Sequence, residues 1–269
     1  MPELPEVETV RRGLETALVG RTFSSVELRR KDLRTKIPRD LPSVLPGCRV
    51  TAVARRAKYL LIHTDGPTLL SHLGMTGSWT FTLPGQTPRA LTRHDHVVWH
   101  FSDGSVAVFN DPRRFGVLEW YTSASLATLG KEPLDDEFTG AALKQALSGR
   151  KAPVKNLIMD QRVVVGVGNI YAAEALFRAG ISPRRAGHRV TVGEALRLVE
   201  TIKAVLREAI AVGGSSISDY RQVGGELGTF QHRFLVYDRA GQPCVHCAEP
   251  IRVVTLGGRS SFYCRRCQR

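Results

Sequence analysis

The 269-residue sequence has no apolar run that approaches the length of a membrane-spanning helix, so nothing in it predicts a transmembrane segment. It also has no low-complexity tract and no repeat of fixed period, which excludes a repeat architecture. Residues 1–6 are acidic and rich in proline, whereas a secretory signal starts with a basic and then apolar stretch. We therefore expect a globular protein of the cytoplasm with no membrane partner.

Acidic residues are few compared with basic ones. The sequence has 25 Asp and Glu against 38 Lys and Arg, which gives a formal net charge of +13 and a pI near 10.0. Such an excess suits a polyanionic partner, because each neutralised phosphate of a nucleic acid releases counterions. A generally basic, solvated surface has the same composition, so charge alone does not decide between the two.

Cysteine is also scarce, and its placement is informative. Four of the five cysteines form two CxxC pairs near the C-terminus, Cys244/Cys247 and Cys264/Cys267, with 16 residues between the pairs. This spacing predicts one tetrahedral Zn²⁺ site; disulfides are the alternative, but a reducing cytosol favours metal ligation. A site with four cysteine ligands is closed, so the zinc is expected to be structural. We expect the fifth cysteine, Cys48, to be a small buried hydrophobic residue.

The periodicity of apolar residues predicts a mixed α+β protein. Residues 5–18 form a helical pattern with Val7, Val10, Leu14 and Leu18 on one face. From about residue 22 to 121 the pattern changes to short strand-like runs, which predicts a β-sandwich. The clearest runs are residues 49–54, 59–63, 97–101 and 106–109. The Asp-Gly pairs at 65–66 and 103–104 lie between such runs and are typical of hairpin turns.

After a loop at 122–136 the pattern becomes helical. It predicts a helix over 170–179 and a second helix from a Thr191/Glu194 capping box to about residue 212, with Leu196, Val199 and Ile202 among its inward residues. The expected division is a β-sandwich with a flanking helix (1–130), a helical domain (131–237) and a zinc ribbon (238–269).

Five stretches in order resemble the formamidopyrimidine-DNA glycosylase family, the bacterial 8-oxoguanine DNA glycosylases. They are MPELPEVET (1–9), HLGMTG (72–77), DPRRFG (111–116), GVGNIYAAE (166–174) and the four-cysteine ribbon that ends in Cys267-Gln268. The resemblance covers essentially the whole chain. It implies that the helical part is a helix-two-turns-helix domain, that the partner is damaged double-stranded DNA, and that oxidised purines are excised.

The chemistry of such an enzyme can be argued from the first residues. Loss of Met1 would make Pro2 a terminal secondary amine; an α-amino group titrates at about pH 8 and a lysine at about pH 10, so more of the former is free at neutral pH. Its attack on the sugar C1′ would displace the base and leave an iminium, which permits β- and then δ-elimination. Without the resemblance, the preferred interpretation of Pro2 is a spacer that permits removal of methionine.

Three further residues complete the expected catalytic set. Glu3 is suited to proton transfer at the sugar and the leaving base, although an acidic residue there also stabilises the helix dipole. Glu6 has the same two interpretations and is expected to play a supporting role. Lys58 resembles the family's lysine that reaches into the lesion site.

The resemblance also implies residues that hold the DNA. Met75, Arg113 and Phe115 match the set that fills the void left by the extruded purine, and their side chains suit stacking and hydrogen bonding to the orphaned cytosine. The expected phosphate contacts are His72, Lys155, Asn169, Tyr237 and Arg259.

Other features argue against further ligands. The Gly166-x-Gly168 pair lacks the spacing of a nucleotide-binding loop, so no nucleotide cofactor is expected. The run His94-Asp95-His96 lacks a third metal ligand at suitable spacing, so packing on a strand is the preferred interpretation. Three residues at predicted turns differ from the family pattern: Lys131 stands where proline is usual, and Asp238 and Ala248 stand where glycine is usual. The segment 215–230 corresponds to the family's loop over the flipped base. Because of its sequence, the resemblance predicts the reaction type more firmly than the preferred lesion.

Two alternatives remain at this point. An endonuclease VIII-like glycosylase would act on oxidised pyrimidines, but Leu4 and the complete Met75/Arg113/Phe115 set argue against it. A non-catalytic protein that binds damaged DNA would need neither Pro2 nor Glu3. We expect a monomeric, nucleoid-associated enzyme.

Overall fold

The computed structural model describes residues 1–215 and 228–269. These residues form two compact units. The N-terminal unit contains Met1–Ala127 together with the described residues between 213 and 229, and the C-terminal unit contains Thr128–Val212 and Phe230–Arg269. Within the described part of the chain, every helix is too short or too polar to cross a bilayer. The predicted base-covering loop at 215–230 lies largely outside the described residues.

The described secondary structure is mixed. The helices are α1 (Leu4–Leu18), α2 (Leu41–Val44), α3 (Gly140–Leu147), α4 (Val154–Ile158), α5 (Asn169–Arg178) and α6 (Val192–Ala211). The strands of the N-terminal unit are β1 (Phe23–Leu28), β2 (Val50–Arg56), β3 (Tyr59–Thr64), β4 (Leu69–His72), β5 (Ser78–Thr82), β6 (Asp95–Phe101), β7 (Val106–Asn110) and β8 (Val117–Trp120). Two strands in the C-terminal unit, β9 (Arg252–Leu256) and β10 (Arg259–Tyr263), form a hairpin.

The N-terminal unit is built from two antiparallel sheets of four strands each. Their orders are β1-β6-β7-β5 and β2-β3-β4-β8, and side chains from both sheets belong to one hydrophobic core. The turn signals at 65–66 and 103–104 lie where expected, between β3 and β4 and between β6 and β7. The predicted β-sandwich is confirmed.

Helix α1 flanks this sandwich and shares its core. The predicted stripe of Val7, Val10, Leu14 and Leu18 is buried, because residues at this spacing lie on one face of a helix. The helix therefore fixes the first residues of the chain against the sheet that contains β2 and β3.

In the C-terminal unit α6 begins at the predicted capping box. The Thr191 hydroxyl accepts the Glu194 N–H, and the Glu194 carboxylate accepts the Thr191 N–H. Val199 and Ile202 are buried as expected, but the inward prediction for Leu196 is wrong, since it is 51% exposed. The buried face also includes Ala195 and Leu198, each of which lies one residue before a position of the predicted stripe.

Three single residues, Asp238, Ala248 and Cys48, differ either from the family pattern or from the burial expected of them. Asp238 and Ala248 have φ values of 58° and 60°, a left-handed conformation in which glycine avoids the strain caused by a Cβ atom. This conformation explains why glycine is usual in the family pattern at both positions, and here Asp238 and Ala248 adopt it with a Cβ atom. Cys48 packs against the core of the N-terminal unit as a hydrophobic residue, but it is half-buried where a buried residue was expected.

Gly74 joins two loops at the end of the sandwich, and its replacement tests that junction. It has a φ of +61°, and a Cβ atom built on it would lie 2.3 Å from the carbonyl carbon of Phe115. We expect Gly74→Ala to lower the free energy of unfolding of this unit by about 1–2 kcal/mol from φ strain and a further 1–3 kcal/mol from the backbone clash.

The matched control is Gly104→Ala, since Gly104 also has a positive φ (+84°) but an added Cβ would meet nothing within 4 Å. Denaturant unfolding followed by tryptophan fluorescence reports on the N-terminal unit, which contains all three tryptophans. Equal destabilisation of the two variants would contradict the tight junction.

Candidate active site and zinc centre

The N-terminal residues are buried where α1 begins. Pro2 is buried, Glu3 is 4% exposed, and the two residues Glu3 and Glu6 form a capping box. One oxygen of the Glu6 carboxylate accepts the Glu3 N–H at 2.8 Å, and the other accepts the Ser215 N–H at 2.8 Å. Gly214 leaves room for this contact, because a Cβ there would lie 2.8 Å from Glu6 Oε1. Glu6 thus fastens the start of α1 to the chain at 214–215.

Lys58 lies in the tight turn between β2 and β3 and is buried. Two contacts orient that turn: Arg11 donates to the Val53 carbonyl at 3.1 Å, and Arg55 pairs with Glu8 at 3.0 Å. Arg55 follows Val53 in β2, and its partner Glu8 is nearer the start of α1 than Arg11, the partner of Val53. The turn that carries Lys58 is therefore at the same end of the helix as Glu3.

Ionisation of Glu8 maintains this orientation. Burial raises its pKa, but the charge of Arg11 and the hydrogen bonds from Arg55 and Arg12 outweigh burial and hold the pKa below its ordinary value. The carboxylate therefore stays charged at neutral pH and keeps its arginine partners on both elements.

His72 ends strand β4 and is held in a neutral state. Burial, followed by the positive charges of Lys58 and Arg34, lowers its pKa from 6.5 to about 4. The Gly74 N–H donates to His72 Nδ1 at 2.9 Å, which requires Nδ1 to be unprotonated. At neutral pH the ring proton is therefore on Nε2, which makes this atom a hydrogen-bond donor.

The loops after β4 and β7 are joined by a buried aspartate. Asp111 accepts the Thr76 hydroxyl at 2.6 Å with one oxygen and the Gly116 N–H at 2.8 Å with the other. Thr76 in turn accepts the Arg113 N–H at 3.2 Å. These bonds bring the loop that contains Met75 beside the loop that contains residues 113–115.

The three predicted void-filling residues are thus neighbours at the surface of the N-terminal unit. Met75 is 40% and Phe115 43% exposed, although both are large and apolar. The Arg113 guanidinium lies over the Phe115 ring, 4.9 Å from its centroid. Exposed apolar side chains that are held by buried hydrogen bonds suit insertion into a base stack.

In the C-terminal unit Lys155 joins α4 to α5 and the β9–β10 hairpin. It is 1% exposed, and its ammonium donates to Asn169 Oδ1 at 2.5 Å, to the Ser260 carbonyl at 3.0 Å and to the Ser261 hydroxyl at 2.7 Å. An ammonium has three donors, and these contacts use all three. Asn169, the first residue of α5, also donates to the Ser260 carbonyl at 3.1 Å. The start of α5 and the hairpin are therefore fixed together.

Glu174, to which sequence reasoning gave no role, fixes the segment that carries Tyr237. Its buried carboxylate accepts the N–H groups of Leu235, Val236 and Tyr237 at 2.8–3.0 Å. Burial raises its pKa, and the three backbone bonds oppose this rise. Its place in the GVGNIYAAE motif was the only available signal, because its partners lie some 60 residues further along the chain.

Arg259 is exposed at the first position of β10, directly after the turn at 257–258. Asn169 donates to the Ser260 carbonyl, and Arg259 directly precedes Ser260 in the chain, so both residues lie close to Ser260. The structure brings these two predicted phosphate contacts together.

The four predicted metal ligands form one cluster. The sulfur atoms of Cys244, Cys247, Cys264 and Cys267 all lie within 4.8 Å of one another, with pairs at 3.4 and 3.8 Å. A disulfide has an S–S distance of about 2 Å, whereas tetrahedral Zn–S bonds of about 2.3 Å place sulfurs about 3.8 Å apart. The donor set fits zinc, and all five cysteines are free of disulfides. The prediction of one structural zinc is confirmed.

The His94–His96 run has protein partners. Asp95 forms a bidentate pair with Arg89 and accepts hydrogen bonds from Thr92 and Asn110. The buried His96 ring contacts the Asp111 carbonyl at 2.8 Å. The preferred interpretation, packing on strand β6, agrees with these contacts.

Three family models match consecutive parts of the chain. The N-terminal domain of formamidopyrimidine-DNA glycosylase matches residues 1–118, the H2TH domain of the same enzyme matches 129–221, and the zinc finger found in FPG and IleRS matches 241–269. With the buried acidic helix start and the four-cysteine cluster, these matches define the class as a zinc-ribbon DNA glycosylase.

Individual relatives narrow the class. The formamidopyrimidine-DNA glycosylase of Paracoccus denitrificans is 50% identical over 280 residues, which cover all of both chains. The MutM (Fpg) protein of Thermus thermophilus is 38% identical with a TM-score of 0.87, covering 99% of this chain and 98% of that one. A Lactococcus lactis Fpg variant, solved with a Fapy-dG containing DNA, is 32% identical with a TM-score of 0.89 over all of both chains. The chain belongs to the formamidopyrimidine-DNA glycosylase family.

The low pKa of His72 predicts a pH dependence of stability. The unfolded residue binds its proton at about pH 6.5 and the folded residue only at about pH 4. Between these values the unfolded state holds more protons, so the free energy of unfolding should rise as pH increases from 4 to 6.5, by at most roughly 3 kcal/mol.

Two measurements check this expectation. NMR titration should give the His72 ring a midpoint near 4, the signal being assigned by its disappearance in His72→Gln. Denaturation of the same variant should show a shallower pH slope over this window. A His72 midpoint near 6.5 would contradict the burial argument.

Proposed function

We propose that this protein is a bifunctional DNA glycosylase and abasic-site lyase that excises oxidised purines, 8-oxoguanine and formamidopyrimidines, from duplex DNA. The observation that carries the proposal is the buried start of α1, where Pro2 and Glu3 lie at the same end of the helix as Lys58. A pure DNA-binding protein has no need to bury two carboxylates and a lysine there. The Fapy-dG containing DNA bound by the Lactococcus lactis relative supports the substrate class.

The first step requires removal of Met1, after which the nitrogen of Pro2 is a secondary amine. This nitrogen attacks C1′ of the damaged nucleotide, the bond from C1′ to the base breaks, and its electron pair leaves with the base. The proton of the attacking amine passes to the departing base. Glu3 then delivers a proton to the ring oxygen O4′ as the C1′–O4′ bond breaks, and the nitrogen lone pair forms the C1′=N iminium. The resulting iminium acidifies the C2′ proton, and successive loss of the 3′ and 5′ phosphates cleaves the strand.

Glu6, Ser215 and Lys58 support this chemistry from the protein side. Glu6 fixes the Glu3 backbone through the 2.8 Å bond, so the acid is oriented before DNA binds. Lys58 reaches toward the lesion from the β2–β3 turn. Met75, Arg113 and Phe115 enter the duplex in place of the extruded purine, with Arg113 paired to the orphaned cytosine.

Phosphates of the DNA backbone are the proposed ligands of four side chains. His72 donates from Nε2 as a neutral imidazole, and Asn169, Tyr237 and Arg259 contact phosphates at the start of α5 and at the hairpin. Lys155 takes a positioning role in this proposal, because its three donors hold Asn169 and the hairpin. The zinc keeps the ribbon folded so that Arg259 is presented on a rigid turn.

The remaining features of the proposal concern assembly and setting. We keep the three-part division into a catalytic sandwich (1–130), a helix-two-turns-helix domain (131–237) and a zinc ribbon (238–269). The enzyme acts as a monomer in the cytoplasm, in association with the nucleoid. It uses no nucleotide cofactor, which is consistent with the use of Gly166–Gly168 to lead into α5.

Glu3→Gln tests the proposed proton transfer. Gln keeps the size of the side chain and removes its acid, so base excision should fall by about 10²–10⁴-fold while the affinity for lesion DNA changes little. Excision and binding are measured on duplexes that contain 8-oxoguanine opposite cytosine or an oxidised pyrimidine.

The matched control is Glu15→Gln, a charge-neutralising change on the exposed part of the same helix. It should excise like the unmodified enzyme. Full excision by Glu3→Gln would remove Glu3 from the chemistry, and faster excision of the pyrimidine lesion than of 8-oxoguanine would contradict the substrate class.

A further inference from the structure

The C-terminal unit contains an arginine-rich cavity of about 930 Å³ that the proposed chemistry does not use. One wall is the segment that follows α5, and the other is the base of the zinc ribbon. Six arginines line this arginine cavity: Arg184, Arg185, Arg189, Arg252, Arg265 and Arg269. No acidic residue is among the described residues that line it.

Most of these positive charges have no ion-pair partner in the part of the chain that the structure describes. Arg185 pairs with Glu194, and Arg252 lies 3.7 Å from Glu249. The other four arginines form no ion pair with any residue in 1–215 or 228–269. At least four guanidinium groups with no ion-pair partner among the described residues therefore share one concave surface, and they repel one another unless an anion lies between them.

The arginine cavity is formed before any ligand binds. The Ser182 N–H donates to the Arg269 carbonyl at 2.9 Å, and the Arg269 N–H donates to the Gly180 carbonyl at 3.1 Å. At the floor, buried Gln268 donates to the Ile181 carbonyl and accepts the Cys264 N–H, both at 2.9 Å. These bonds lock the two walls together, so little ordering entropy is lost on binding.

The arginine cavity lies away from the phosphate contacts proposed above. Its floor includes Tyr263, which pairs with Arg252 at the open end of the hairpin, whereas Arg259 pairs with Leu256 at the turn. Four residues of strand separate the two positions, which is about 13 Å. A ligand in the cavity therefore occupies a second site on the ribbon.

We propose that the arginine cavity binds phosphate groups of a nucleic-acid backbone beyond the duplex held at the lesion site. Guanidinium groups bind phosphate oxygens in a bidentate manner, and a cavity lined by arginines without lysine suits such geometry. The proposal takes DNA as the polyanion from the proposed function. Phosphate binding in the arginine cavity gives the enzyme a second contact with DNA while it searches for lesions.

The test uses Arg189→Gln/Arg265→Gln, which removes one unpaired charge from each wall. The control is Arg197→Gln/Arg207→Gln, two exposed arginines of α6 outside the cavity. Each double variant is titrated by fluorescence anisotropy against lesion-free duplexes of about two and about six helical turns, over a range of salt concentrations. Zinc content and melting temperature verify folding, and Arg184→Gln/Arg269→Gln is a second cavity variant.

With the long duplex, the cavity variant should bind about tenfold more weakly than the control. Its plot of log K against log salt concentration should be less steep by roughly 0.9 for each phosphate that the variant no longer binds. With the short duplex the two variants should bind equally, and they should excise 8-oxoguanine equally from a duplex of the same length that carries this lesion. An equal slope for cavity and control variants on the long duplex overturns the proposal.

Competition identifies the source of the anion. If the site serves nucleic acid, long lesion-free DNA displaces labelled inorganic polyphosphate from the unmodified protein, and the cavity variant binds polyphosphate more weakly than the control variant does. If polyphosphate or polyglutamate binds the cavity while long DNA does not compete, nucleic acid is excluded as its ligand. Failure of the proposed function is separate: it is absence of excision by the unmodified enzyme.

Discussion

Two backbone N–H groups that donate to the Glu6 carboxylate are the constraint on which the proposed active site depends. One belongs to Glu3, and the other belongs to Ser215, some 209 residues further along the chain. Both groups are buried, and a buried donor left without its acceptor costs about 1–3 kcal/mol. The start of α1 and the chain at 214–215 are consequently one structural element. A nucleophile at position 2 is useful only if its neighbour is held in this way.

Buried polar residues also hold the loops or segments of four predicted DNA-binding residues, which are Met75, Phe115, Tyr237 and Asn169. Asp111 is buried and joins the two loops from which Met75 and Phe115 project. Glu174 is buried and holds the segment of Tyr237, and Lys155 is buried and holds Asn169. The residues proposed to touch DNA are accessible at the ends of these supports. Because buried polar networks are rigid when fully paired, the contact surface is organised before DNA arrives.

Local patterns predicted much of this structure, and long-range partners account for what they missed. The α1 stripe, the Thr191/Glu194 capping box and the CxxC pairs depend on residues within a few positions, and each is found as expected. The burial of Lys155 depends on hairpin residues more than 100 positions away, which no local pattern reveals. The exposure of Leu196 has a similar cause, since only the packing of α6 decides which of two adjacent faces turns inward.

The most direct test of the account is the identity of the nucleophile. The enzyme is incubated with a duplex that contains one 8-oxoguanine opposite cytosine, borohydride is added to reduce any iminium, and the cross-linked peptide is located by mass spectrometry. The account predicts a covalent adduct on Pro2 of a chain that has lost Met1, with the lesion base released. An adduct on Lys58 or another lysine, or excision without any adduct, would contradict it.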